Sequence, residues 1–195
     1  MPGFTDEFMG SLGPQVSKEL SENLGINQNV AQQILPAVIP MILGGLKKQK
    51  DECGGQERVD HILNKHGSAN VLNNLSGLFQ SKAKDTSVDA RLGGLLGNSG
   101  LQATDMIAKQ FNLDSNTASR LIPMLAPVIL GALTKKRDTE GAGSKEIASL
   151  LDKDGDTNIL NNVAGLLLKN ALGGGQKGGN PLNSVLGSLF GNKPK

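Results

Sequence analysis

The chain has 195 residues, 20 basic against 18 acidic side chains and a formal charge of +2, so it lacks the basic excess of a general nucleic-acid or acidic-membrane binder. Trp and Tyr are absent and Phe numbers 5, which leaves little aromatic surface to stack on bases, sugars or flavins. Gly reaches 26 residues, nearly twice the usual share of ~7%, and a single Cys excludes both an intramolecular disulfide framework and a multi-Cys zinc site.

The opening segment MPGFTDEFMG is acidic and polar, without the apolar core of a signal peptide, and reads as an N-terminal extension over residues 1–10. VSKELSENLG then places Val16, Leu20 and Leu24 along one helical face. Asn27 suits the N-cap of a helix over Asn29 to Leu35, and Pro36 predicts a kink or the first turn of a new helix, with Pro40 four residues on. The apolar run Ile34 to Leu46 has two prolines and falls short of the ~20 residues that span a bilayer. A polar loop, DECGGQE, leads to a short helix over Arg58 to Asn64, and Asn70 is expected to cap a helix in VLNNLSGLF. Arg91 to Asn98 spaces glycines with leucines, a weak helix. The same order then returns. TDMIAKQFN carries Met106, Ile107 and Phe111, and Asp114 caps a helix over Asn116 to Ile122. Pro123 and Pro127 stand within IPMLAPVILGAL, the loop RDTEGAGS follows, and a helix is expected over Lys145 to Leu151. Asn158 is the expected cap of ILNNVAGLLL. A linker by composition, GGGQKGGNP, precedes Val185 to Asn192.

Self-comparison explains that recurrence. Leu24 to Gln49 aligns with Phe111 to Lys136 at an offset of 87, with Pro36, Pro40, Ile42, Leu43, Gly44 and Lys48 meeting identical residues. Leu63 to Phe79 matches Leu151 to Leu167 at 88, and Arg91 to Asn98 matches Val185 to Asn192 at 94. The expectation is an all-α multihelical bundle of two similar helical repeats, 11–98 and 99–192, the second including a Gly-rich linker near 173–180 and a terminal apolar segment. Pro36 to Leu46 and Pro123 to Leu133 are expected to be its central buried helices, in a core that the two short units share.

These blocks, LGINQNVAQQILPAVIPMILGGL, NVLNNLSGLF and the glycine-spaced LGGLLG, resemble the YidB-like bacterial family, catalogued as domain of unknown function 937. DGDTNILNNVAGLLL is similar to that family's D-G-x-I-L-D-x-L-A-G-L-L block. The likeness covers nearly the whole chain, once per repeat. Asn73, Asn74, Asn161 and Asn162 stand where acidic residues are common in the family. The resemblance implies a multihelical bacterial cytoplasmic domain without an established activity, and it supplies no catalytic residues.

Asp152, Asp154, Asp156 and Asn158 imitate the first positions of a calcium loop, but Thr157 stands where the turn glycine belongs and Val163 where the bidentate Glu belongs. A turn with helix caps is therefore the preferred reading. Cys53, His61 and His66 diverge around a helix and have no fourth zinc partner in view. No nucleophile signature accompanies either His, and GGGQKGG has no preceding strand to make it a phosphate loop. No cofactor and no catalytic residue is assigned. Segments 20–34 and 107–121 have the spacing of a helix-turn-helix, with Ser21, Gly25, Ala31 and Ala108, Asn112, Ala118 at its packing positions. Arg120 is the sole basic residue on either second helix, too little for a recognition face, so DNA binding through these segments is the alternative reading and not the preferred one. Membrane-surface association is a lesser alternative, because the apolar segments lack a polar face. The expectation is a cytoplasmic, non-enzymatic protein acting through an unknown protein partner or self-association. Leu186, Leu189 and Phe190 are the candidate contact residues, docking on their own unit or on a neighbouring chain.

Overall fold

The computed structural model describes residues 3–85, 95, 97–139 and 141–154. Among these the chain forms α1 (Phe4–Ser11), α2 (Gly13–Leu24), α3 (Gln28–Cys53), α4 (Gly55–His66), a 3-10 turn (Ala69–Asn73), α5 (Leu75–Lys84), α6 (Gly97–Gln110), α7 (Ser115–Asp138) and α8 (Gly143–Asp154). No strand occurs among the described residues, and the expected all-α class is observed.

Local chemistry starts the two long helices. Asn27 Oδ1 accepts from Asn29 N at 2.8 Å, and Asp114 Oδ1 accepts from Thr117 N at 2.9 Å; each satisfies one of the donors that a helix start leaves unpaired. The turns before them need a left-handed residue. Gly25 takes it at φ +67°, and Asn112, 87 positions later, takes it at +49°, which the short Asn side chain tolerates.

The prolines do not divide these helices. α3 runs unbroken through Pro36 and Pro40, and α7 through Pro123 and Pro127, so no new helix starts at Pro36, and the central helices begin well before the expected Pro36 and Pro123. Each interior proline removes one N–H and strands the carbonyl four residues back, at about 3 kcal/mol. In both helices the prolines lie on an exposed or half-buried flank. The opposite face is buried. Ile34, Leu35, Val38, Ile39, Ile42, Leu43 and Leu46 of α3 are all 0% exposed, and at about 1.5–3 kcal/mol each their burial outweighs two proline penalties.

α3 and α7 hold the centre of one continuous core that also takes Leu20, Val59, Leu63, Leu75, Phe79, Ile107, Ile147 and Leu151 from the surrounding helices. α4 packs on both α3 and α7, and so does α8. The described helices therefore contribute to one core.

Two further readings are revised. The opening residues carry α1, whose Phe4 and Phe8 are 5% and 2% exposed and lie in the core with ring centroids 6.0 Å apart; spaced by four, both rings fall on one face. Asn70 caps no helix. It lies within the 3-10 turn, and Asn74 is the cap of α5, its Oδ1 accepting from Gly77 N at 3.0 Å, because Leu75 is the first residue there to enter the core. Asn158 and the segments near Leu92 and Leu186 lie outside the described residues.

The exit from α4 crosses the backbone of α7 at close range. A Cβ on Gly67 would lie 2.7 Å from the Leu130 carbonyl oxygen, and one on Gly131 would lie 2.8 Å from that of Ser68 and 2.8 Å from Val71 Cγ2. Two opposed glycines make this approach possible.

Candidate functional site

Of the four calcium-loop candidates, Asp152 and Asp154 are described, at the end of α8, and Asp156 and Asn158 are not. Asp154 Oδ2 accepts from Phe4 N at 2.7 Å, completing the N-terminus of α1 from 150 residues away. The Asp152 carboxylate pairs with Lys50 of α3. These two side chains tie α8 to α1 and α3, whereas ligation of one cation requires their oxygens to converge. Cys53 is exposed at the end of α3, and His61 and His66 are exposed on α4. Among the described residues no three His, Cys, Asp or Glu side chains gather as a metal set.

Both helix-turn-helix-like segments do fold as helix, tight turn and helix. Ser21 Oγ donates to the Ile26 carbonyl at 2.6 Å, and Ala31 and Ala118 are 0% exposed against the preceding helix. The second helix of each pair is a core helix. Its exposed start in α3 presents Gln28, Asn29, Gln32 and Gln33, all uncharged. In α7, Arg120 donates from Nη1 to the Ala83 carbonyl at 2.7 Å and from Nε to Asn116 Oδ1 at 3.2 Å. It secures the end of α5.

Two cations in the last turn of α7 also reach other helices. Arg137, with an 11% exposed side chain, reaches Asp60 at 3.1 Å and Asn64 at 2.7 Å on α4, and its guanidinium beside Asp138 holds that carboxyl below the usual range. Lys136 pairs with Glu7 of α1 at 2.7 Å. Between them α1, the 3-10 turn and the end of α7 leave a cleft of about 200 Å³, lined by Phe4, Glu7, Phe8, Leu72, Lys135 and Lys136. Its aromatic floor is nearly closed to solvent, Phe4 and Phe8 being core residues.

By length and composition, α3 and α7 are each apolar enough to cross a membrane, with mean hydropathy 1.4 over an 18-residue window. In the fold, 50% and 67% of those windows are buried inside the protein. Leu186, Leu189 and Phe190 lie outside the described residues.

No curated protein and no solved structure matches the chain. A bacterial protein family of unknown function, DUF937, matches residues 6–136 and again 135–195. The first match runs from α1 through nearly all of α7 and the second takes in α8 and the rest of the chain, so nearly every residue is covered. The chain belongs to the bacterial protein family of unknown function DUF937.

Proposed function

We propose that this family member is a non-catalytic, cytoplasmic helical module, built by internal duplication, that acts through contact with a partner protein or a second copy of itself. The observation that carries this reading is the use made of its charged side chains. Asp152, Asp154, Arg120, Lys136 and Arg137 each bind another helix, so the groups best suited to acid–base, metal or phosphate chemistry serve packing. The duplication is supported by matched elements: α2, α3 and α4 against α6, α7 and α8, with a cap at Asn27 or Asp114 and two prolines four apart in each long helix. A water-soluble setting is supported by α3 and α7, whose apolar faces are turned into the core.

Leu186, Leu189 and Phe190 are the proposed contact residues, as apolar side chains set among glycines in GNPLNSVLGSLFGN. The test compares the full chain with a Leu186→Ser, Leu189→Ser, Phe190→Ser variant, by light-scattering mass and by proximity labelling in the bacterial cell. A recurrent partner, or a mass above the monomer, lost in the variant is expected. Identical masses and labelling profiles would remove these residues from the proposal. A salt-dependent DNA mobility shift lost in Arg120→Ala, or flotation of the protein with liposomes, would replace the reading itself.

A further inference from the structure

We infer that the first half of the structure, α1–α5, and the second, α6–α8, meet through an isologous face of the kind that joins the subunits of a dimer, and that a second copy of this chain is a partner for it, associating by exchange of halves. In an isologous face the contact between two positions occurs twice, once in each direction. α7 holds α4, Arg137 Nη2 donating to Asn64 Oδ1 at 2.7 Å. α3 holds α8, Lys50 pairing with Asp152. Lys50 stands 87 residues before Arg137, and Asp152 stands 88 residues after Asn64, the offsets at which the sequence repeats. One pair of positions is thus used in both directions between the halves.

The surroundings of the two contacts agree. Each cation also reaches the Asp that follows it, Lys50 reaching Asp51 at 3.6 Å and Arg137 reaching Asp138 at 2.6 Å. The packing of α4 on α7 is matched by that of α8 on α3. α3 meets α7 and α4 meets α8, so each element also touches its own counterpart, as elements beside a two-fold axis do. Val59 and Leu63 of α4 correspond to Ile147 and Leu151 of α8, and all four are buried. Because both directions are alike, half of a second chain presents to this face the groups that the chain's own other half presents. A closed chain and an exchanged pair then hold the same contacts, and protein concentration together with the connection between Asp85 and Gly97 sets the balance. The inference rests on the duplication in the proposed function and deepens that reading by naming the second copy. It does not involve Leu186, Leu189 or Phe190.

Charge reversal in full-length chains tests it. One chain carries Lys50→Glu and Asp60→Arg, both in the first half. The other carries Asp152→Lys and Arg137→Glu, both in the second. Closed on itself, either chain opposes like charges at the 50–152 and the 60–137 contacts, which is unfavourable. Exchanged with one another, the two chains oppose unlike charges at every one of these contacts. Each chain alone is expected to keep a single-chain light-scattering mass with a lowered Tm. Refolded together at high concentration, they are expected to double that mass, to give a one-to-one pair by native mass spectrometry and to melt several degrees above either chain alone. A mixture that keeps the single-chain mass and the Tm of its components overturns the second copy as partner. A chain with all four reversals restores both contacts within itself and is expected to melt with the wild type. If it is no more stable than the half-reversed chains, the reciprocal contact itself is overturned, even where those chains fail to fold. If it recovers while the mixture does not associate, the exchange fails and the proposed function is left to its own test at Leu186, Leu189 and Phe190. A pair that disappears when Leu186→Ser, Leu189→Ser and Phe190→Ser are added to both chains assigns the association to those residues and overturns the exchange.

Discussion

Replacing Gly131 by Ala isolates the contact that seats the α4–α5 connection on α7. Two effects compete. The helix gains about 1 kcal/mol, because Gly in a helix interior is that much worse than Ala. Against this, the new methyl would lie 2.8 Å from the Ser68 carbonyl oxygen and 2.8 Å from Val71 Cγ2. The Val71 side chain can rotate away, but the carbonyl belongs to the backbone next to Gly67, itself packed on the Leu130 carbonyl. Relief therefore means moving a turn whose neighbour Leu75 is 1% exposed in the core. Overpacking of this kind costs typically about 1–3 kcal/mol, and a backbone obstacle argues for the upper half of that range. The net expectation is a loss of about 1–2 kcal/mol, or roughly 2–8 °C in Tm for a chain of this length, read by thermal or urea unfolding monitored by circular dichroism at 222 nm. Because the damage is local, amides of residues 67–79 are expected to lose exchange protection before those of α2 or α6. An unchanged or raised Tm would show that the helix-propensity gain exceeds the steric cost and would refute the close approach.

Asn27→Ala removes the α3 cap and is expected to cost about 1 kcal/mol in urea unfolding, whereas Asn27→Asp should keep the bond and the stability. Ile39→Ala, at a 0% exposed position of the core, should cost about 2–5 kcal/mol; a loss below 1 kcal/mol would place α3 outside the core. Asp114 is a pH probe: its bonds from the Thr117 hydroxyl and amide hold its carboxyl below the usual range. Its contribution is thus present above the ordinary carboxylate pKa and is lost as pH falls through the lower folded value. Asp114→Asn keeps a capping oxygen without a charge, so its urea midpoint should fall less than the wild type's between about pH 4 and pH 2; parallel curves would remove Asp114 as a contributor. Asp154→Ala should raise amide exchange throughout α1 and leave α6 unchanged, and titration calorimetry with millimolar calcium should give no saturable heat that this variant abolishes.

The all-α class, the two apolar segments at the centre and the caps at Asn27 and Asp114 were determined by the sequence alone, because each rests on short-range rules. Asn27 and Asp114 cap amides within three residues of themselves, and a left-handed turn asks for Gly25 or Asn112 wherever the rest of the chain lies. Tertiary structure decided what those rules do not reach. Pro36 reads locally as a kink or a new helix start, but the buried faces of α3 and α7 carry both helices through their prolines. Phe4 and Phe8 sit in a polar, acidic segment, so only the packing of α1 against α2, α3 and α8 shows that they are core. Asp154 looks like part of a calcium loop, and its actual partner, the amide of Phe4, is 150 residues away. Arg137 and Lys136 look like cations at a helix end, whereas Asp60, Asn64 and Glu7 give them their role. In each case the energy of a side chain depends on which group desolvates beside it, and a linear pattern records only its near neighbours.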